Sequence, residues 1–359
     1  MGACGPVPGK VVVMTDANRS APEPPLPPVE LVRPGLWSIP VPIPNNPLRY
    51  VLVYAFETDR GPYLIDAGWN TDDAYQTLVD GLGVAGFAVA DVQGVLVTHI
   101  HPDHYGLAGR IREASGAWVG LHPADAALIE ERYDEPDDLL VKIGSMLRRD
   151  GAPPEEIATL QNASMPVRNW VWAAVPDVLV EDGDRPDIPG WDLTAIWTPG
   201  HSPGHICLYE GRHRLMLSGD HVLPRITPNI SFHPQAGPDP LGDFLASLDK
   251  VAAYDTDEAL PAHEHRFKDL RGRVEELKSH HQARFDEVVT AIQGGTTTAW
   301  DIASHMTWSR PWDQIQGWMR RAAVGETLAH LRYLQKLGVV LEVDGEPAEW
   351  HVTELAKRS

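Results

Sequence analysis

Cysteine is nearly absent from this chain, which holds only Cys4 and Cys207. Two such residues in unrelated contexts build neither a disulfide framework nor a cysteine-rich zinc module, and a reducing, cytoplasmic location is expected. The amino terminus, Met1-Gly2-Ala3-Cys4-Gly5-Pro6, lacks the basic start and apolar run of a secretory signal. No stretch reaches about 18 consecutive apolar residues, so export and membrane spanning are both disfavoured. Positive charge is scarce as well: 30 Lys and Arg stand against 50 Asp and Glu, for a formal net charge of -20. That surplus repels polyanions, so nucleic acid is not an expected partner. Internal repeats are also missing.

What is present is a chain of 359 residues, 43% hydrophobic and 22% charged. Such a length and composition bury a sizeable core and favour two domains, or one domain with an appendage. Residues 1–30 are polar and Pro-rich, an arm that orders only if it docks. Residues 31–293 are expected to form the main domain. Within it, strands are predicted at Leu36 to Val41, Tyr50 to Phe56, Tyr63 to Ile65 and Val95 to Val97, with a helix from Thr71 to Leu82. Residues 134–176 change character and read as a helical insertion, a lid, with helices at Asp137 to Arg149 and Glu155 to Asn162. Strands return at Leu193 to Thr198, Ile206 to Tyr209 and Arg214 to Leu217, and a long surface helix, interrupted near His281, runs from Leu270 to Ile292. Two sheets with helices outside are the economical packing. Residues 294–359 then read as helix (Ala299 to Met306), helix (Glu326 to Leu337) and a hairpin about Asp344-Gly345, an order that resembles a winged helix.

The chemistry is concentrated in four segments, of which Thr98-His99-Ile100-His101-Pro102-Asp103-His104, after the apolar strand, is the most informative. An extended His-x-His turns two imidazoles to one side, and Asp103 and His104 on the following turn can face a second ion. Thr198-Pro199-Gly200-His201-Ser202-Pro203-Gly204-His205 offers His201 as a ligand, with His205 beginning the next strand. Ser218-Gly219-Asp220-His221 ends another strand with a carboxylate able to bridge two cations, and Leu260-Pro261-Ala262-His263-Glu264-His265 supplies one more imidazole.

Together, Thr-His-x-His-x-Asp-His, Thr-Pro-Gly-His-Ser-Pro-Gly-His, Gly-Asp and Leu-Pro-x-His resemble the metallo-β-lactamase-fold hydrolase superfamily from about Leu36 to Leu270. Leu64-Ile65-Asp66-Ala67-Gly68 also matches, and by that resemblance Asp66 supports the metal loop without ligating. The resemblance implies an α/β fold, a four-layer αββα sandwich with the site at one edge between the sheets. It also implies two divalent ions, with His99, His101 and His201 on one, Asp103, His104 and His263 on the other, and Asp220 plus a hydroxide bridging them. Zinc suits this set; iron or manganese fits the ligand types too. Ala262 and Glu264 depart from the family's Leu-Pro-Gly-His-Gly, and His265 is the fallback ligand. His221 and Tyr105 neighbour the ligands and, with Asp103, are candidate catalytic residues, while Ser202 and Cys207 read as structural.

The ligand set looks most like glyoxalase II, acyl-homoserine lactonases and related thioesterases. The expected function is therefore hydrolysis of a small ester, thioester or lactone at its carbonyl. A phosphodiesterase acting on single-stranded RNA is the alternative, weakened by a tail that holds seven Lys and Arg against eight Asp and Glu from Thr296 onward. A β-lactamase fits less well, since one major class uses cysteine where Asp220 stands, and a non-catalytic module is disfavoured by the intact ligands. Trp170, Trp172, Met146, Leu147 and Met165 are expected to wall an apolar acyl or aromatic substrate pocket. Trp300, Trp308, Trp312 and Trp318 either form a core of the tail or a homodimer surface.

Overall fold

A computed structural model describes residues 24–354. Most of the Pro-rich arm and the last five residues therefore lie outside the described residues. Seven strands pair in chain order: β1 (Glu30–Arg33), β2 (Leu36–Pro42), β3 (Tyr50–Phe56), β4 (Tyr63–Ile65), β5 (Gly94–Leu96), β6 (Trp118–Leu121) and β7 (Val178–Leu179). Pairing is antiparallel as far as β4 and parallel beyond it. The change comes from the crossover helices α1 (Asp72–Val84), α2 (Pro102–Tyr105) and α3 (Ala108–Ser115), which return the chain to the same edge each time. Thr71 caps α1, its hydroxyl accepting from Ala74 N at 3.1 Å. Beyond β6 come α4 (Pro123–Ala126), α5 (Asp137–Arg149) and α6 (Pro154–Gln161).

The second sheet has the order β11 (Glu258–Pro261), β10 (Leu215–Gly219), β9 (Ile206–Glu210) and β8 (Leu193–Trp197). Helix α7 (Pro240–Ala252) makes the crossover that sets β11 parallel to β10. The strand period of two distributes the core between layers. Leu52, Tyr54 and Phe56 of β3 turn to the second sheet and meet Ala195, Leu208 and Leu217, whereas Val51, Val53 and Ala55 turn to α1 and α3. Each such side chain taken fully from water contributes roughly 1.5–3 kcal/mol, which makes the two apolar faces the main reason the sheets stack. Ile196, Cys207, Met216 and Ala259 on the outer face of the second sheet are covered by α7 and α8 (Leu270–Gln293). The expected four-layer αββα sandwich is what the chain forms.

Helix α8 passes through His281 without a break. After it come α9 (Ala299–His305), α10 (Gly317–Lys336) and the hairpin β12 (Val340–Val343) with β13 (Glu349–Val352). Helix α10 starts at Gly317, earlier than the Glu326 read from sequence, because Trp318 to Gly325 continue the turn on to the insertion. Leu328, Leu331, Val340 and Trp350 join the same buried cluster as α7 and α8. Ile143, Leu147 and Leu160 of the insertion pack on Trp300, Ala303 and Val324 of the tail. Arg320 fastens the two by donating to both carboxylate oxygens of Glu156, at 2.9 and 3.0 Å.

Of the wall expected over the metals, Leu147 is corrected. Leu147 is fully buried against the tail, and Trp170 and Trp172 line a groove with Thr71, Tyr75 and Arg110 on the outer helices. Trp300, Trp308 and Trp312 pack inward on the insertion, while Trp318 is half exposed.

Candidate metal centre

The centre lies where β4, β5, β10 and β11 end. Asp66, just past β4, has φ 66° and a carboxylate almost wholly buried. That carboxylate accepts from Thr98 N at 2.8 Å, Thr98 Oγ1 at 2.9 Å and His104 Nδ1 at 2.8 Å. It thus holds the start of the His loop, and it leaves His104 with Nε2 aimed inward. The same device recurs, with His201 Nδ1 donating to Asn229 O and His263 Nδ1 to Tyr50 O, each at 2.9 Å. Fixing one ring nitrogen in this way sets the tautomer and orientation of the other.

All seven sequence candidates for metal ligands converge. Their ligand atoms fall into three groups, each within 4.8 Å: His99, His101 and His201; His99, His104 and Asp220; Asp103, His104 and His263. Asp220 stands between the sets, with Oδ1 3.2 Å from His263 Nε2 and 3.5 Å from His104 Nε2, and Oδ2 3.5 Å from His201 Nε2. Asp103 Oδ2 is 3.3 Å from His263 Nε2. Among the described residues, His104 Nε2, His201 Nε2, His263 Nε2 and Asp220 Oδ1 are buried without a hydrogen-bond partner. Buried polar atoms are rarely left so, and their convergence, with imidazole and carboxylate chemistry, fits divalent metal.

Charge follows position. Burial, reinforced by the neighbouring imidazoles, pushes His99 and His101 well below the usual histidine range, so both are neutral donors. Burial also opposes charge on His263, yet Asp220 and Asp103 outweigh it and raise the ring to about 10. His104, among Asp66, Asp103 and Asp220, rises well above its ordinary value for the same reason. The carboxylates therefore demand positive charge here, from protons or from metal.

The remaining candidates are placed otherwise. Tyr105 is fully buried, and its hydroxyl donates to Ala174 O at 2.5 Å and accepts from Ala174 N at 2.7 Å, leaving nothing for a substrate. His221 is enclosed, with Phe244 4.9 Å and His205 5.9 Å from its ring, and belongs to none of the three groups. His265 is exposed and outside them too. Glu264 takes φ 68°, the conformation a glycine would favour, held by Arg225 on its carboxylate and by Tyr50 Oη, which donates to its carbonyl. Ser202 donates to Asp125, and burial first of all pushes the Cys207 thiol up to about 12, so neither offers a nucleophile.

Two supporting residues escaped the sequence reading. Asp125 on α4, fully buried, accepts from Ile100 N at 2.9 Å, Ser202 Oγ at 2.8 Å and Gly204 N at 2.6 Å, tying the two His loops together. A side chain at Gly204 would stand 2.5 Å from Asp125 N, which is why glycine is needed there. His205 shares a hydrogen bond with Thr198 Oγ1 at 2.8 Å and accepts Asp220 N–H on Nε2 at 3.1 Å, holding the backbone of Asp220. The signals were a lone acid among the alanines of 124–127 and the second Gly-His of the loop.

The chain shares this arrangement with known proteins. A family model described as the metallo-beta-lactamase superfamily matches residues 46–263. The probable metallo-hydrolase YqjP of Bacillus subtilis is 24% identical over 276 residues, covering 71% of this chain and 80% of that protein. The crystal structure of a metallo-beta-lactamase family protein from Thermus thermophilus superposes with a TM-score of 0.79 at 32% identity, covering 90% of this chain and all of that one. A beta-lactamase domain protein from Burkholderia ambifaria gives 0.78 at 25% identity, covering 90% and 94%. With the match running from the loop before β3 to His263, and all seven candidate ligands inside it, this chain belongs to the metallo-beta-lactamase superfamily.

Proposed function

We propose that the chain is a dinuclear metal-dependent hydrolase that cleaves a small ester, thioester or lactone at its carbonyl. The observation that carries this is the set of buried, partnerless donors on His104, His201, His263 and Asp220, converging with neutral His99 and His101. His99, His101 and His201 would hold one ion, Asp103, His104 and His263 the other, with Asp220 shared. Zinc is favoured by the imidazole-rich set. Two divalent ions supply an activated water at neutral pH and polarise a carbonyl oxygen. The chain's own part is to keep His99 and His101 unprotonated by burial and to fix the aim of His104, His201 and His263 through Asp66, Asn229 and Tyr50. Asp103 is proposed as a catalytic carboxylate as well as a ligand. Tyr105 and His221 are assigned no chemical step. The resemblance of the ligand set to thioesterases and lactonases supports the carbonyl class. The alternative acting on RNA gains nothing from the tail, whose Arg320 and Arg332 are engaged by Glu156 and Glu342.

The test is metal analysis of the purified chain with parallel assays on a thioester, a lactone, a phosphodiester and a β-lactam. Two equivalents of metal and a preference for the thioester or lactone are expected, lost by at least about 100-fold in Asp103→Ala with the fold retained. Preference for the phosphodiester would replace the carbonyl reading.

A further inference from the structure

Among the described residues, two arginines near the metal centre lack acidic partners, in a chain where acids outnumber bases by 50 to 30. Arg132 lies on the turn Glu130–Asp134 that opens the insertion. Its neighbour Tyr133 donates to Ile100 O at 2.6 Å, so this turn is fastened to the peptide between His99 and His101. Among the described residues the Arg132 guanidinium has neither an ion pair nor a hydrogen bond. The adjacent Glu131 is turned away, toward Lys142 and Gln235. Arg321 approaches from α10 and donates only to uncharged groups, Leu160 O, Gln161 O and Ser164 Oγ. The next residue on that helix, Ala322, accepts from Ser231 Oγ at 3.1 Å, two positions beyond the Asn229 carbonyl that orients His201.

Both arginines adjoin one short segment: Arg168 of the turn Met165–Trp170 donates to Tyr133 O at 2.7 Å and Asp134 O at 2.8 Å, and Ser164, just before that turn, accepts from Arg321. Arg132 bears on His101, on His233 and on Arg321. Burial together with Arg132 brings Arg321 down to about 10. His233, desolvated and flanked by Arg132, Arg321 and His201, is lowered to about 3 and adds a neutral imidazole to the same wall. Two like charges sharing a partly dry space are mutually unfavourable, and an anion between them turns that cost into attraction. Guanidinium groups suit carboxylate and phosphate geometry, and a local cationic pair can collect an anion on a protein of opposite overall charge.

We propose that Arg132 and Arg321 seat an anionic end group of the substrate, a carboxylate or a phosphate, while the carbonyl to be cleaved lies at the metals. This rests on the carbonyl-hydrolase reading above and adds a charged terminus to a substrate that the sequence suggested to be apolar.

The test uses the metal-loaded full chain and three 4-nitrophenyl esters of matched length, one neutral, one ending in a carboxylate and one in a phosphate. An anionic ester is expected to be preferred in kcat/KM, and Arg132→Gln to lower that preference by about tenfold or more, as loss of a charged hydrogen bond does. Arg132 has no ion pair or hydrogen bond to lose among the described residues, so the variant is expected to keep the wild-type circular dichroism and Tm. Arg148→Gln, an exposed arginine bonded only to Ser145 Oγ, serves as control and keeps the wild-type preference. The ester that responds separates carboxylate from phosphate. Calorimetric titration of glutarate and of methyl phosphate into wild type and Arg132→Gln reads the seat without hydrolysis. Weaker binding of either anion in the variant supports the seat even if no ester is cleaved, and the carbonyl reading alone then fails. Unchanged ester preference together with unchanged anion affinity in Arg132→Gln overturns the proposal.

Discussion

Asp66 decides which nitrogen of His104 faces inward, while Asp125 and His205 fix the backbone of the loops that carry other candidate ligands. His205 holds the backbone of Asp220, so His205→Ala is expected to weaken metal binding by about 10–100-fold, read by competition with a chelator. The seven candidate ligands were legible because a strand end packed with His and Asp has few other uses. Asp125 and His205 were not, since their value lies in contacts to loops far away in sequence. A different carboxylate gives a pH prediction. Burial raises Asp150 from 3.8 to about 7, and its Oδ2 has no partner. The unfolded chain ionises first, so stability is lost as pH rises from about 4 through about 7. Asp150→Asn is expected to stabilise the protein by roughly 1–3 kcal/mol at pH 8 and by less at pH 5, visible as a pH-dependent difference in Tm.

Among the elements, α1 shows how tightly the outer layer meets the sheet. A Cβ at Gly81 would stand 2.4 Å from Ile39 Cγ2, on a β-branched side chain with little freedom to yield. Alanine gains about 1 kcal/mol in helix propensity, but overpacking costs roughly 1–3 kcal/mol, so Gly81→Ala is expected to lower the urea midpoint. The long apolar strands β2 and β3 and the helix α1 were legible from periodicity. Strands β6 and β7 were not: β6 is interrupted by Gly120, and β7 is only two residues, both exposed at the sheet edge. Helix α7 has no counterpart in the sequence reading, since Pro240 and Gly242 at its start are residues that favour turns. Asp239 before Pro240 was the available signal, and its side chain does cap the helix at Gly242 N, 2.9 Å.

On the scale of the whole molecule, the insertion and the tail are one body. Sequence alone separated them, because each shows an apolar helical face and nothing in a periodicity says which other face it will meet. Removing residues 137–165 would strip Ile143, Leu147 and Leu160 from Trp300, Ala303 and Val324. At roughly 2–5 kcal/mol for each large aliphatic side chain lost, the deletion rivals a typical total stability of about 5–15 kcal/mol. The expected product is an aggregating or partly unfolded chain with a broadened melting transition, whereas a native-like Tm would show that the tail stands alone. The shared core also limits how this protein can be recombined with its relatives. A chimera that imports a foreign insertion while retaining the native tail inherits mismatched halves of one interior, so the two segments have to be exchanged together, as a single cassette split in the gene by the second sheet.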